Sequence, residues 1–152
     1  MNTLLEIQLK CAKESARLLK NMPTCTKNQA LDKIADALIV HSEEILEANK
    51  KDMAHAKEVN MTKAMQDRLL FTHERIVGVS DGVKKVATLP DPIGEVMESW
   101  TRPNGLEISK VRVPIGVFGI IYEARPNVTV DIASLCLKSG NACVLRGGKE
   151  AI

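Results

Sequence analysis

The sequence lacks the long apolar runs that mark a secretory leader or a membrane span. No run approaches the roughly 18 residues needed to cross a bilayer, and the first 20 residues, MNTLLEIQLKCAKESARLLK, carry charges throughout. We therefore expect neither a signal peptide nor a transmembrane helix, and we predict a cytoplasmic protein without a membrane partner.

The sequence also lacks the patterns of a metal centre and of a nucleic-acid-binding protein. Its four cysteines form no CxxC pair and its three histidines stand singly, so we expect no metal site and reduced thiols. Net charge is only +2, with acids and bases interleaved, which gives no electrostatic case for nucleic acid. Cys136 and Cys143 are predicted to be structural thiols inside an element, because neither adjoins a histidine or a helix start. Cys11 and Cys25 show no functional signal.

What is present is an α/β pattern in 152 residues, enough to bury a core. Residues 1–92 are helical in pattern, and we predict that Pro23 closes the first helix. TKNQ, beginning at Thr26, has the form of a capping box, and Thr62 and Thr72 are placed as N-caps of later helices. The predicted apolar side of the first helix comprises Leu4, Leu5, Leu9, Ala12, Ala16 and Leu19. Helical spacing then continues through Leu31, Ile34, Ala35, Leu38 and Ile45.

Residues 93–113 predict a β-hairpin. Two alternating segments flank Asn104-Gly105, the strongest short hairpin signal in the chain. The segments are rich in charge, so we expect an exposed ribbon rather than a core element. The pattern alone leaves open whether this ribbon is an oligomerisation arm or a simple surface hairpin.

Residues 114–152 predict a βαβ unit. The apolar run from Ile115 to Tyr122 suits a strand buried on both faces. NVTVDIASLCLKS is helical and ends at Gly140, and a second strand spans Ala142–Arg146. Two strands joined by a helix are expected to be parallel. GGKEAI then has the pattern of a loop and the first turn of another helix.

Polar clusters follow both predicted strands, and ligands of open parallel sheets bind beyond the carboxyl ends of the strands. Arg146, Gly147, Gly148 and Lys149 combine glycines with two cations at a helix start, which suits a phosphate. The segment is neither a GxGxxG nor a GxxxxGK[ST] motif, and a glycine turn with solvated charges is the alternative.

The cluster after the first strand allows two interpretations. Asn127 follows a proline and precedes a helix, so it is either an N-cap or an amide that donates to a developing oxyanion. Glu123 and Arg125 can pair with each other or with a neighbouring loop, and we assign neither a proton-transfer role.

At these residues the sequence resembles the γ-glutamyl phosphate reductase family, a branch of the aldehyde dehydrogenase superfamily. The resemblance is carried by YEARPNVTVD, SLCLKSGNA and LRGGKE, and more loosely by KIADAL, ANKKD and DRLLFTHERI. It implies an aldehyde-dehydrogenase-like fold, in which 1–92 is the helical part of a cofactor domain and 93–113 is an oligomerisation arm. Residues 114–152 then begin an incomplete Rossmann-like sheet that binds NADP.

The resemblance also implies an activity. The family reduces L-glutamyl 5-phosphate with NADPH to L-glutamate 5-semialdehyde, phosphate and NADP⁺ in proline biosynthesis. A cysteine thiolate displaces phosphate, and the resulting thioester accepts a hydride. Asn127 corresponds to the oxyanion-hole asparagine, and the backbone of Ile120, Ile121, Tyr122 and Glu123 lines the cofactor cleft. Arg146 and Lys149, with Gly147 and Gly148, lie where the cofactor's ribose and 2′-phosphate bind, and a cation there suits NADPH.

The chain departs from the family in length. It corresponds to the N-terminal third, without the catalytic domain, and none of its cysteines matches the nucleophile. We therefore expect residues 1–152 alone to be marginally folded and inactive. Two alternatives are the reductase part of a bifunctional pyrroline-5-carboxylate synthase, disfavoured by the start at Met1, and a non-catalytic interaction module or remnant.

Overall fold

The computed structural model describes residues 3–150 as an α/β fold with helices leading and two small sheets following, as the sequence predicts. None of the helices in this range has the length and apolar character needed to cross a membrane. In chain order the elements are α1 (Thr3–Leu19), α2 (Thr24–Val40), α3 (Ser42–Glu58), α4 (Lys63–Leu69), α5 (His73–Thr88), β1 (Val96–Thr101), β2 (Glu107–Val111), β3 (Val117–Ile121), α6 (Pro126–Lys138) and β4 (Ala142–Arg146).

Two of the three predicted helix starts are confirmed. The Thr62 hydroxyl accepts the N–H of Met65 at 3.4 Å, and the Thr72 hydroxyl accepts that of Arg75 at 3.2 Å. The capping box at Thr26 is wrong, because α2 already begins at Thr24, directly after Pro23. The N-cap is Pro23, three residues before the predicted cap at Thr26. A proline has its φ fixed at a value suited to a helix start and has no N–H to leave unpaired.

The helical core lies where α2, α5 and α6 pack together. Leu31 and Ala35 of α2 contact Val83 and Ala87 of α5, and all four are buried. The helical spacing through Ile45 is interrupted at His41, which ends α2 and precedes α3. Beyond this break, Ile45 and Leu46 of α3 pack against a second buried cluster, formed by Phe71, Ile76 and Val79.

The predicted apolar side of α1 is largely exposed. Leu4 is 62% exposed and Leu9 48%, whereas Ala16 is buried. Only the later turns of α1 therefore match the prediction. The helix contacts β3 and β4, so its apolar side faces a sheet too small to cover it.

Buried polar side chains tie the helices to the following loop. Lys27 of α2 is 1% exposed; it forms an ion pair with Asp91 and donates to the Lys138 carbonyl at 3.2 Å. Lys138, at the end of α6, is 4% exposed and donates to Asn28 at 2.7 Å and to the Ala87 carbonyl at 2.8 Å. These bonds join four segments, and each buried ammonium has oxygen partners.

The predicted hairpin is confirmed, and every residue of β1 is exposed. The N–H of Gly105 donates to the Arg102 carbonyl at 2.9 Å, and the N–H of Arg102 donates to Leu106 at 2.8 Å. Only Gly105 in this turn has a positive φ, +82°. The loop is thus a β-turn followed by a glycine bulge, which sets the strand register.

The βαβ unit is also confirmed, with β3 and β4 parallel and Ile121 opposite Arg146. Gly140 ends the crossover helix with φ +68°, as predicted. Burial of β3 on both faces is wrong for this structure, since Ile121 is 86% exposed. Within residues 3–150 the sheet has two strands, and one neighbouring strand cannot shield both faces. Of the predicted next helix, Ala151 and Ile152 lie outside the described residues.

Candidate functional site

The two strand ends that the sequence singles out meet at one edge of the parallel sheet. The backbone N–H of Tyr122 donates to the Arg146 carbonyl at 3.1 Å, one residue beyond the strand pairing. Ile120 is half-buried and Ile121 exposed. The polar residues after β3 and β4 therefore share one rim, as expected for parallel strands.

The glycine loop after β4 lies against the end of β3. A Cβ on Gly147 would lie 3.5 Å from the Tyr122 ring, and one on Gly148 would lie 3.6 Å from the Glu123 backbone. Neither glycine has a positive φ, so here glycine permits close approach rather than an unusual turn. The Glu150 carboxylate occupies the space where a Cβ on Gly148 would lie.

The two predicted cations of this loop are open to solvent. Arg146 and Lys149 are both exposed, and neither forms an ion pair within residues 3–150. Tyr122 is fixed beside them by a hydrogen bond between its hydroxyl and that of Thr129. The rim thus offers two uncommitted positive groups beside an immobilised aromatic ring.

Asn127 lies in the first turn of α6, not at its N-cap. The N-cap is Arg125, whose side chain makes no capping bond, so the N-cap interpretation of Asn127 is wrong. Pro126 explains the shift, because proline is favoured at the first helical position. The Asn127 amide donates to Asp131 Oδ2 at 2.9 Å, one turn along the same helix. A primary amide has two N–H groups, so this bond orients the side chain and leaves a second donor.

Asn127 opens onto a cleft that the sequence did not reveal. The cleft has a volume of about 440 Å³ and lies between the α4–α5 segment and the start of α6. Its polar lining includes Arg68, Arg75, Arg125, Asn127 and Asp131. Arg68 and Arg125 are far apart in sequence, and no spacing rule connects them, so only the packing of α5 against α6 brings them to one wall.

The arginines of this cleft differ in whether their side chains have hydrogen-bond partners. Arg75 donates to the Asp67 carboxylate at 3.0 Å and to the Leu70 carbonyl at 2.6 Å, so it closes the loop between α4 and α5. The side chains of Arg68 and Arg125 make no hydrogen bond or ion pair within residues 3–150, so neither of the two pairings that the sequence allows for Arg125, with Glu123 or with a neighbouring loop, forms there. Two guanidinium groups therefore face the cleft without a partner.

A smaller cleft of about 260 Å³ connects this region to the strand edge. Arg68 and Arg125 line it together with Tyr122 and Glu123. The same two arginines thus border both cavities. The candidate site thus comprises two neighbouring clefts that share Arg68 and Arg125, and the smaller one borders the end of β3.

The cysteines do not contribute a nucleophile to this site. Cys136 is buried, and burial together with the neighbouring Cys143 thiol raises the pKa of Cys136 to about 11. It is therefore protonated at neutral pH, as a structural thiol is. Cys143 is half-buried, and Cys11 and Cys25 are exposed on the leading helices.

Known proteins share this sequence along nearly its whole length, although no protein-family model matches it. The chain is 56% identical to γ-glutamyl phosphate reductase of Moorella thermoacetica over 99% of its residues, which is 37% of that protein. It is 55% identical to the enzyme of a Geobacillus species over 100% of its residues, again 37% of the relative. The chain thus spans little more than a third of the length of these relatives.

Solved structures give the same result for the fold. The crystal structure of γ-glutamyl phosphate reductase from Thermotoga maritima matches with a TM-score of 0.95 and 47% identity, covering 99% of this chain and 36% of that one. The enzyme from Saccharomyces cerevisiae matches with a TM-score of 0.89 and 39% identity, over 93% and 36%. A probable aldehyde dehydrogenase from Listeria monocytogenes, 17% identical over 92% of this chain and 28% of that one, shares the fold with a TM-score of 0.64. In sequence and in fold the chain thus matches the N-terminal portion of γ-glutamyl phosphate reductases, and it shares the fold of a probable aldehyde dehydrogenase.

Proposed function

We propose that the chain forms the N-terminal part of an oxidoreductase that reduces L-glutamyl 5-phosphate with NADPH to L-glutamate 5-semialdehyde, phosphate and NADP⁺ in proline biosynthesis, in the cytoplasm. The observation that carries the proposal is the group of polar residues at the carboxyl ends of β3 and β4. It combines a glycine loop with free cations and an oriented amide, and it occurs in a chain 56% identical to γ-glutamyl phosphate reductase.

Asn127 is proposed to stabilise the oxyanion. Its bond to Asp131 fixes the amide and leaves one N–H for an oxygen that gains negative charge as the acyl phosphate is attacked. An oriented donor loses little freedom at the moment of reaction, which is why such groups accelerate acyl transfer. Removing one oxyanion donor lowers kcat by about 10²- to 10³-fold in comparable sites.

The rim is proposed to hold NADPH, which supplies a hydride when bound. Ile120 to Glu123 contribute backbone at the strand end, and Gly147 and Gly148 let the loop approach closely. Arg146 and Lys149 are exposed and unpaired among the described residues, so both are available to a phosphate anion. A carboxylate at position 149 would instead repel the 2′-phosphate.

The division of the chain into three parts supports assembly with further elements. Residues 1–92 and 114–152 are proposed as parts of the cofactor domain, and 93–113 as an oligomerisation arm. Both hairpin strands are exposed apart from Ile108, and Trp100 is 41% exposed. An isolated two-stranded ribbon is marginal in water, so pairing with another subunit would stabilise it.

Residues 1–152 by themselves are proposed to be inactive and at most marginally stable. Cys136 is protonated, and it lies inside α6 and not at the rim. Within the described residues no cysteine lines the Asn127 cleft. Exposed Ile121 and Val117 leave β3 uncovered. Cooperative thermal unfolding together with NADPH turnover by these residues alone would contradict this proposal.

The function is tested by NADP⁺ reduction with L-glutamate 5-semialdehyde and phosphate, using the protein in the longest form that its source makes. We expect activity, a loss of about 10²- to 10³-fold in kcat for Asn127→Ala, and little change for the exposed control Asn21→Ala. Lys149→Glu is expected to lower kcat/KM for NADP⁺ more than for NAD⁺. No reduction by the unsubstituted protein would refute the proposal.

A further inference from the structure

We infer that the Asn127 cleft binds the α-amino-acid end of its ligand, with Arg68 and Arg125 receiving the α-carboxylate and Asp131 facing the α-ammonium group. This inference rests on the proposed function, because it assigns the part of the substrate that does not react. The sequence analysis assigns no ligand to any of these three side chains.

The first step is the lack of partners for the two arginines. Guanidinium groups at a site are usually matched by carboxylate or phosphate, because their planar fork forms two parallel hydrogen bonds. Arg75 shows this here, since it bonds to Asp67 and to backbone carbonyls. Arg68 and Arg125 line the same cleft and have no such match among residues 3–150. Both side chains are exposed and line one cavity, so their donors are available to an anionic ligand there.

The second step is the negative charge on the wall of the cleft. Asp67 also lines it but is paired with Arg75 at 3.0 Å, which leaves Asp131. Asp131 is half-buried, lines the cleft and accepts one hydrogen bond, from Asn127. A carboxylate on the wall is unfavourable for a phosphate dianion, because the two negative charges repel. It favours a ligand that carries a cation beside its anion. An α-amino-acid end has this arrangement, with a carboxylate and an ammonium on one carbon.

The third step is size and position. A volume of about 440 Å³ accommodates a small metabolite. Asn127 borders the cleft. If the acyl group of a ligand lies at the Asn127 amide, the opposite end of the ligand lies between the two arginines and Asp131. The ligand then spans from the reacting group to the recognition groups within one cavity.

Calorimetric titration with three matched esters tests the inference independently of turnover. L-Glutamate 5-methyl ester carries both α-groups, methyl 4-aminobutanoate lacks the carboxylate, and monomethyl glutarate lacks the ammonium. We expect the unsubstituted protein to bind the first about 10- to 100-fold more tightly than the second, the range of a charge-assisted hydrogen bond. Arg68→Gln and Arg125→Gln are expected to remove this preference. Asp131→Asn is expected to remove the preference for L-glutamate 5-methyl ester over monomethyl glutarate. Arg17→Gln, an exposed arginine of α1, should change neither.

Several results would overturn the inference. They are equal affinity of the unsubstituted protein for all three esters, no binding of the first ester, and arginine variants that keep the preference for the carboxylate. In the reductase assay, an Arg68→Gln variant that raises KM for phosphate and not for the semialdehyde would assign the arginines to phosphate instead. Ester binding with the expected preferences but no NADP⁺ reduction would refute the proposed function and leave this binding site standing.

Discussion

Replacing Lys27 by methionine tests whether the buried ion pair with Asp91 holds the helices to the loop that precedes the hairpin. The side chains of the pair are 2% and 11% exposed. Methionine keeps most of the aliphatic stem and removes the ammonium. Asp91 then keeps only the Thr24 hydroxyl at 2.7 Å and the Ile93 N–H at 3.0 Å as donors.

The expected cost is about 3 kcal/mol in the free energy of unfolding. Removing one partner of a buried pair costs roughly 3–5 kcal/mol, because the other charge stays buried without compensation. The lower end applies here, since two hydrogen bonds to Asp91 remain and its carboxylate is partly exposed. The loss is a large share of the roughly 5–15 kcal/mol that stabilises a typical domain.

Urea denaturation of the protein in the longest form that its source makes, followed by circular dichroism, measures the effect, because residues 1–152 alone are proposed to be at most marginally stable. With a slope of roughly 1–3 kcal/mol per molar urea, the midpoint should fall by about 1–3 M. Lys33→Met is the matched control, because Lys33 lies on the exposed face of the same helix and should change stability by less than about 0.5 kcal/mol. Lys27→Met combined with Asp91→Asn should cost less than the sum of the two single changes. Equal midpoints for the two lysine variants, or strict additivity in the double variant, would refute the reasoning.

Three further predictions use other features of the fold. Burial raises the pKa of Asp91, but hydrogen bonds from Lys27, Ile93 and Thr24 outweigh it and hold the pKa below the ordinary value of 3.8. Stability from this group is therefore full above that value and is lost as the pH falls through the lower folded-state pKa; urea midpoints measured from roughly pH 2 to 6 should show this acid limb, and Asp91→Asn should flatten it. Gly140→Ala should cost more than about 1 kcal/mol, because Gly140 has φ +68° and a Cβ there would lie 3.1 Å from Pro114. Gly82→Ala, in open space on α5, should instead stabilise by about 0.4–1 kcal/mol in the same denaturation experiment, and a similar sign for both variants would contradict the backbone argument. Iodoacetamide at neutral pH should label Cys11 and Cys25 well before Cys136, whose pKa is about 11; equal labelling rates by peptide mass spectrometry would contradict the burial of Cys136.

The elements that sequence reasoning predicted correctly are those with local causes. The Thr62 and Thr72 caps, the Gly105 turn and the Gly140 helix end each depend on a few neighbouring residues. The burial of side chains was predicted less well, since it depends on which other elements pack against each face of a helix or strand. Leu4 and Ile121 are apolar and in the expected elements, yet both are exposed, because within residues 3–150 the sheet has only two strands.

The rim could be predicted from local sequence, whereas the cleft could not. The rim follows from one βαβ unit, so the sequence could place Tyr122 beside Gly147 by the rule that parallel strands end at one edge. The cleft requires Arg68, before α5, to meet Arg125, before α6, and no local pattern fixes that meeting.

The contact between α5 and α6 brings the two arginines to the same cleft. Val130 of α6 packs against the cluster of Phe71, Ile76 and Val79, and this cluster lies directly beside the walls of the cleft, which Phe71 and Val79 also line. The apolar residues that bury α5 against α6 therefore lie beside the cleft whose walls carry Arg68 and Arg125. This contact joins residues that are distant in sequence, which is why the arginines were found from the structure and not from their sequence positions.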